Sequence, residues 1–408
     1  MIQKTVEGDV SNPRVNFFSI SIFLFFLIFG WKVKYFDLSV FVPFILLPFV
    51  VRRASISFPF FLFFLLLSIL FVYQLSVQVF NDSFDVEPLG RILRSIFVVF
   101  IVGVFCSSMD CRDLIKVLRI LIVVIVMHAV FIIVTAFSLP LAELASSLSG
   151  NERFRWMRSS GLLAGFDIAG FITIIGILLL TSRASFFSDG MGKFMGVVIL
   201  FFAACFASRV TMMFAGILFF LYVGRLVFFG KLGGGAKISI LFASVFLCYF
   251  AFTWFLKVLD VTFSLGVVDV SSAEVEVITS IFSAQREGGF LWAHMFFLPD
   301  NLFGVFFGVG SEPGNSDVGY VREIFRYGVV GLVFVIVTHL LFLLFCFSGK
   351  RKFFSSLEFK LAFVLLLFIL VLTFKNNYLL VRGVFPCFVL ISYCLGCLFK
   401  RSAGFGRV

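Results

Sequence analysis

The chain has 408 residues, of which 61% are hydrophobic and 13% charged, with a mean hydropathy of +1.14 and a formal net charge of +11. Soluble domains are about half apolar and about a quarter charged, so this composition excludes a chain of soluble domains and predicts an all-α polytopic membrane bundle with no nucleic-acid partner. The 65 phenylalanines read as lipid-facing bulk; an aromatic substrate tunnel is the alternative.

In chain order, apolar runs predict about twelve spans within one integral membrane domain covering 1–408. They lie near 17–30, 38–51, 56–79, 92–106, 118–139, 161–180, 194–207, 210–229, 238–256, 324–347, 361–374 and 378–398. Runs 38–51, 194–207 and 361–374 are short of the ~20 residues a helix needs to cross a bilayer. The first run follows Lys4 and Arg14, as in a signal peptide. No small-residue cleavage site follows it, so it reads as a retained helix. Basic residues in short loops set orientation. With the N-terminus inside, 18 Lys and Arg fall on the inner side. Eleven fall outside when the long loop 257–323 is left out of the count: Lys32, Lys34, Arg91, Arg94, Arg153, Arg155, Arg158, Arg209, Arg326, Lys375 and Arg382. Both termini are therefore expected in the cytoplasm. Positive charge on the outer side opposes the topology rule and calls for a local use: surface solvation for some of it, an anionic ligand for the rest.

Two outward segments stand out. One is 140–160; the other is the long loop 257–323 between predicted spans 9 and 10. Within the latter, Ser271 and Glu274 have capping-box spacing. Phe290 to Leu298 forms a further apolar piece suited to the membrane surface. There is no P-loop, no H-E-x-x-H and no D-x-D pair, and Gly304, Gly308 and Gly310 follow no strand of a β-α-β unit. No cofactor and no metal are expected. Cys394 and Cys397 form a C-x-x-C inside an apolar helix with no second pair in sequence. They read as buried small hydrophobes, with a metal or redox site as the minor alternative.

Several polar residues on the outward side are candidates for chemistry. Arg153, Arg155 and Arg158 suit either interfacial snorkelling or a phosphate clamp. Asp167, in the following helix, is costly there unless paired, and one of these three arginines is the expected structural partner. Ser208-Arg209 breaks an apolar stretch, either as a hairpin tip or with Arg209 facing a ligand. Arg286 lies between the pieces of the long loop. Asp317 and Tyr320 lie just before the next span, and Lys375 in a short turn with Asn376 and Asn377. His128 and His339, inside apolar helices, suit packing or helix–helix hydrogen bonds. His294 is either structural or a base.

These features together resemble the Wzy-type O-antigen polymerases. The matching elements are R-x-x-G (Arg158 to Gly161), the turn Ser208-Arg209, the late long outward loop, Gly308 and Gly310, then Ser316, Asp317, Gly319 and Tyr320, then Tyr327, Gly328 and Gly331. The related O-antigen ligases share this layout, but the His-Asn pair expected of a ligase is not evident at His294, which is followed by Met295. The resemblance implies a metal-independent membrane glycosyltransferase of a bacterial inner membrane. It would join undecaprenyl-diphosphate-linked repeat units at the periplasmic face, with membrane lipid and a chain-length regulator protein as further partners. It implies Asp317, His294 and Arg286 as catalytic candidates, and Arg153, Arg155, Arg158, Arg209, Tyr320 and Lys375 as binding candidates. A ligase, a lipid-linked oligosaccharide flippase or transporter, and a structural assembly protein of the envelope are the alternatives.

The topology yields a direct prediction. A cysteine introduced at Ser311 should react with a membrane-impermeant maleimide in intact cells, and one at Ser355 only after permeabilisation. The reverse pattern would invert the orientation.

Overall fold

The computed structural model describes residues 17–33, 36–51, 54–149, 159–163, 165–182, 191–229, single positions between 234 and 253, 296–311, 313, 316, 318–348, 353–375 and 377–402. Within these, the chain is an all-α membrane bundle. The helices are α1 (Phe17–Phe29), α2 (Leu38–Val50), α3 (Phe58–Phe80), α4 (Val86–Ser107), α5 (Cys111–Phe137), α6 (Leu139–Ser149), α7 (Phe166–Thr181), α8 (Met191–Ala207) and α9 (Arg209–Phe229). They continue as α10 (Leu302–Phe307), α11 (Gly319–Phe347), α12 (Leu357–Leu372) and α13 (Val384–Ser402). Six stretches among the described residues are long and apolar enough to cross a membrane unaided: α3, α4, α5, α11, Val210–Phe228 of α9 and Val384–Arg401 of α13. Every predicted span except 238–256 coincides with a helix; that one falls largely outside the described residues.

The helix starts follow local chemistry. Asp37 caps α2 by accepting the Ser39 amide, and Asp85 caps α4 by accepting the Glu87 amide. Ser356 accepts the Phe359 amide at the start of α12. α1 and α2 are 13 residues each, about 20 Å at 1.5 Å per residue, against roughly 30 Å of hydrocarbon. They pair as a hairpin, joined by a two-residue antiparallel ladder of Lys32–Val33 with Phe36–Asp37. Protein rather than lipid covers α1: Phe23, Leu24, Leu27, Ile28 and Phe29 are fully buried against α2, α5 and α13. α7 is likewise enclosed, buried at every position from Ala169 to Leu180. α9, in contrast, presents Met213, Ile217, Phe220 and Leu221 outward, as a lipid-facing helix does.

Cross-links between loops define two ends of the bundle. At one end Arg382 pairs with Asp37, Arg94 donates to the Leu380 carbonyl, Lys375 meets Asp167, and Ser83 donates to the Val309 carbonyl. Ser55 and Ser57 bond to Ser107 at the opposite end, where Cys111 also lies against Cys397. The loops that the basic-residue pattern assigns to one side therefore meet in space.

The glycines around Gly328 are fixed by a crossing of backbones. α11 is broken at Gly328, with φ 67° and ψ 178°. The segment Phe306–Gly310 crosses it there. A Cβ on Gly328 would lie 2.2 Å from the Phe306 oxygen, and one on Gly308 2.7 Å from the Arg326 oxygen. Gly308 and Gly310 also have positive φ. The amides of Val309 and Gly310 both reach the Phe325 carbonyl, at 2.7 and 3.1 Å, supplying partners near the helix break. α3 secures the crossing from its other side. The Tyr73 hydroxyl lies 3.0 Å from the Phe307 oxygen and 2.9 Å from the Tyr327 oxygen, and the Gln78 amide donates to the Gly310 carbonyl at 3.0 Å.

Replacing Gly328 with Ala should therefore sharply reduce monodisperse protein on fluorescence-detected size exclusion. Gly90→Ala, in helix α4 with nothing within 4 Å of the new methyl, should be neutral or slightly stabilising, because Ala favours helix by about 1 kcal/mol over Gly. Equal yields of the two variants would contradict the crossing.

A candidate anion site at one end of the bundle

The first turns of α11 bring Arg322, Glu323 and Arg326 to the end of the bundle where the loops meet. Glu323 and Arg326 are one turn apart, with Arg326 Nη1 at 2.8 Å from Glu323 Oε1 and side-chain exposures of 1% and 0%. The Asn377 side-chain amide donates to the same carboxylate oxygen, and Asn377 Oδ1 accepts the Leu379 amide at 3.2 Å. Desolvating two charges costs several kcal/mol per ion and is repaid only by good geometry and further hydrogen bonds. In a membrane helix such a pair is a marker of function before it is a source of stability.

Around this pair stand further charges. The Arg322 Nε donates to the Ser316 carbonyl at 2.6 Å. On α4, Glu87 pairs with Arg91, and the fields of Arg91, Arg326 and Arg322 all reach Glu87. One turn along, Arg94 donates to the Leu380 carbonyl at 2.8 Å and shares Asp37 with Arg382, which binds that carboxylate at 2.7 Å. Arg382, Asp37 and Arg91 act electrostatically on Arg94. Five arginines (Arg91, Arg94, Arg322, Arg326 and Arg382) are thus linked by contact or field to three carboxylates (Asp37, Glu87 and Glu323), with Asp82 and Asp85 in the turn that leads into α4. Arginine's planar fork suits phosphate and carboxylate oxygens bidentately. The arrangement can therefore hold an anion such as a diphosphate.

A second polar group flanks the first. Asp167, in the first turn of α7, accepts from the Ser208 hydroxyl in the α8–α9 turn and from Lys375 Nζ at 2.9 Å. These are its partners among the described residues. Beside it lies the buried Tyr378 side chain.

The sequence-derived candidates fare unevenly. Arg153, Arg155, Arg158, Arg286, His294 and Asp317 lie outside the described residues, and of Arg209 only the backbone, at the start of α9, is described. Ser316 and Val318, the neighbours of Asp317, are both described: Ser316 accepts from Arg322 through its carbonyl, and through its hydroxyl from the Val318 amide. Tyr320 braces α11 against α12, donating to the Leu370 carbonyl at 2.6 Å and packing edge-on to Phe374. Lys375 is half-exposed on Asp167. His128 accepts the Leu162 amide and stacks on Phe29, while His339 bridges the carbonyls of Val335 and Leu379. Both are packing residues with hydrogen bonds. Arg91, Arg94, Arg326 and Arg382 counted in sequence only as outward positive charge. Their grouping needed the contacts between α4, α11 and the segment before α13. Among the described residues no three His, Cys, Asp or Glu side chains are placed to hold a metal ion. No protein-family model, no curated protein and no solved structure matches this chain.

The buried pair makes a stability prediction. Arg326→Ala or Glu323→Ala strands a buried charge and should cost about 3–5 kcal/mol. Leucine at both positions should recover much of the thermal stability lost in either single variant. A double variant as unstable as the sum of the two would show that the charges do not act as a pair.

Proposed function

We propose that the chain is a metal-independent membrane glycosyltransferase that polymerises undecaprenyl-diphosphate-linked oligosaccharide repeat units at the periplasmic face of a bacterial inner membrane. The observation that carries this reading is the five-arginine cluster of α4, α11 and the segment before α13, set at the end of the bundle where the outward-assigned loops converge. The acceptor hydroxyl oxygen bonds to the anomeric carbon of the donor glycan, and the bond from that carbon to the diphosphate oxygen breaks. The electron pair leaves with the lipid diphosphate. Fixed guanidinium groups stabilise that developing charge without reorganisation, the role of preorganised donors in catalysis. The hydroxyl proton passes to a base within hydrogen-bond reach, for which Asp317 is favoured over His294. Ser316, beside Asp317, is tied to Arg322, which supports that choice. Arg153, Arg155, Arg158, Arg209 and Arg286 extend the clamp from the outward loops, and Tyr320 and Lys375 support its rim. Both termini lie in the cytoplasm, and a chain-length regulator acts on the product.

Reconstituted protein with synthetic lipid-linked repeat units tests this. Elongation should produce a ladder of products and persist in chelator. Arg91→Lys and Arg322→Lys, each replacing a fork by a point charge, should slow elongation about 10–100-fold, corresponding to about 1.5–3 kcal/mol for a charged hydrogen bond, with folded yield unchanged. Transfer of single units to a lipid-A-type acceptor would identify a ligase. Movement of intact lipid-linked units across the bilayer, without elongation, would identify a flippase. Full activity in both lysine variants would remove the cluster from the mechanism.

A further inference from the structure

The opposite end of the bundle carries an arrangement of thiols that the anion site does not use. Cys394 and Cys397 of α13 are one turn apart and face the junction of α4 and α5. Cys106, next to last in α4, interacts electrostatically with Cys394; Cys111, the first residue of α5, lies against Cys397 through the backbone of the latter. The C-x-x-C therefore meets a second pair, separated from it in sequence but not in space. The two contacts form rungs of different depth. Cys106 and Cys394 are fully buried, whereas Cys111 and Cys397 are both partly exposed. α13 also packs closely on α11 here: a Cβ on Gly396 would lie 2.5 Å from the Cys346 carbonyl oxygen.

The outer rung has the features of a reactive pair. Cys111 Sγ lies 3.7 Å from the Cys397 carbonyl oxygen. Cys111 opens a 27-residue helix, so the free amides of its first turn lie beside the sulfur, and the Arg401 guanidinium acts on it from α13. Both place positive potential at the sulfur, opposed by partial burial and the neighbouring Asp110 carboxylate, and positive potential is the setting in which a cysteine is nucleophilic. Asp110 and Asp113 on one side and Lys400 and Arg401 on the other make the surroundings polar, so a water-soluble reagent can approach.

We infer that Cys111 and Cys397 form a redox-active dithiol, with Cys111 the attacking and Cys397 the resolving thiol, whose substrate is a low-molecular-weight disulfide. Cys111 sulfur attacks one sulfur of that disulfide, forming a mixed disulfide and expelling the other half as a thiolate. Cys397 sulfur then attacks Cys111 Sγ, closing the protein disulfide and expelling the second half. The two protein thiols are oxidised by two electrons, the small disulfide is reduced to two thiols, and the two protons released by the protein end on them. Closure ties the start of α5 to the last turns of α13.

The test uses the full chain in lipid nanodiscs, treated with oxidised glutathione at neutral pH and mapped by mass spectrometry of non-reduced peptides. The expected first product is a Cys111–Cys397 cross-link with a loss of about 2 Da, reversed by dithiothreitol and still formed in Cys106→Ser. In Cys397→Ser the reaction should stop at glutathione bound to Cys111. A free Cys111 after treatment, a mixed disulfide that persists in the unsubstituted chain, or a cross-link of Cys111 to another cysteine would each overturn the assignment. Because Cys111→Ser leaves nothing to attack, it should show no adduct at Cys397; an adduct there would reverse the two roles and refute the order of attack.

Discussion

Glu323 and Arg326 are held away from water one turn apart on α11, and that burial constrains everything around them. Two desolvated charges are tolerable only if their remaining hydrogen-bonding capacity is met nearby. Asn377 meets part of it, which fixes the 373–383 segment against α11. That segment in turn presents Lys375 to Asp167 of α7, and Arg382 to Asp37 of the α1–α2 hairpin. It also presents the Leu380 carbonyl to Arg94 of α4. One buried pair thus organises three further polar contacts, and these join helices distant in sequence at a common surface.

The break in α11 at Gly328 acts just below this pair. An unbroken helix would leave no room for the Phe306–Gly310 backbone, because an ordinary side chain at 328 would collide with a carbonyl. The crossing segment bonds to α3 through Tyr73 and Gln78 as well as to α11. Arg326, two residues before the break, is therefore anchored by a structure stitched on both sides.

α13 connects the two ends. It starts just after Arg382, whose guanidinium holds Asp37, and carries in its C-terminal half the C-x-x-C that faces Cys106 and Cys111. It is enclosed by α4, α5, α11 and α12 for much of its length. A covalent tie at its thiol end would therefore restrain the same helix that leads from the arginine cluster, which gives the dithiol a mechanical path through packed side chains rather than through solvent.

Sequence by itself determined the membrane class and nearly all of the helices, because a bilayer demands long apolar runs and backbone groups satisfied within the segment. Alternation of the predicted spans also assigned loops to two sides, and Asp37, Arg94, Asp167, Lys375 and Arg382 do meet at one end. The outward Lys and Arg raised the expectation of an anionic ligand, but the residues named for it in sequence are not the ones that the described contacts bring together. Tertiary structure alone decided that Arg91, Arg94, Arg322, Arg326 and Arg382 group together, that Lys375 and Ser208 partner Asp167, and that Cys111 meets Cys397. These pairings join positions tens to hundreds of residues apart. Periodicity reports which face of a helix is apolar, but the choice of neighbour depends on how buried polar groups find partners once the helices pack.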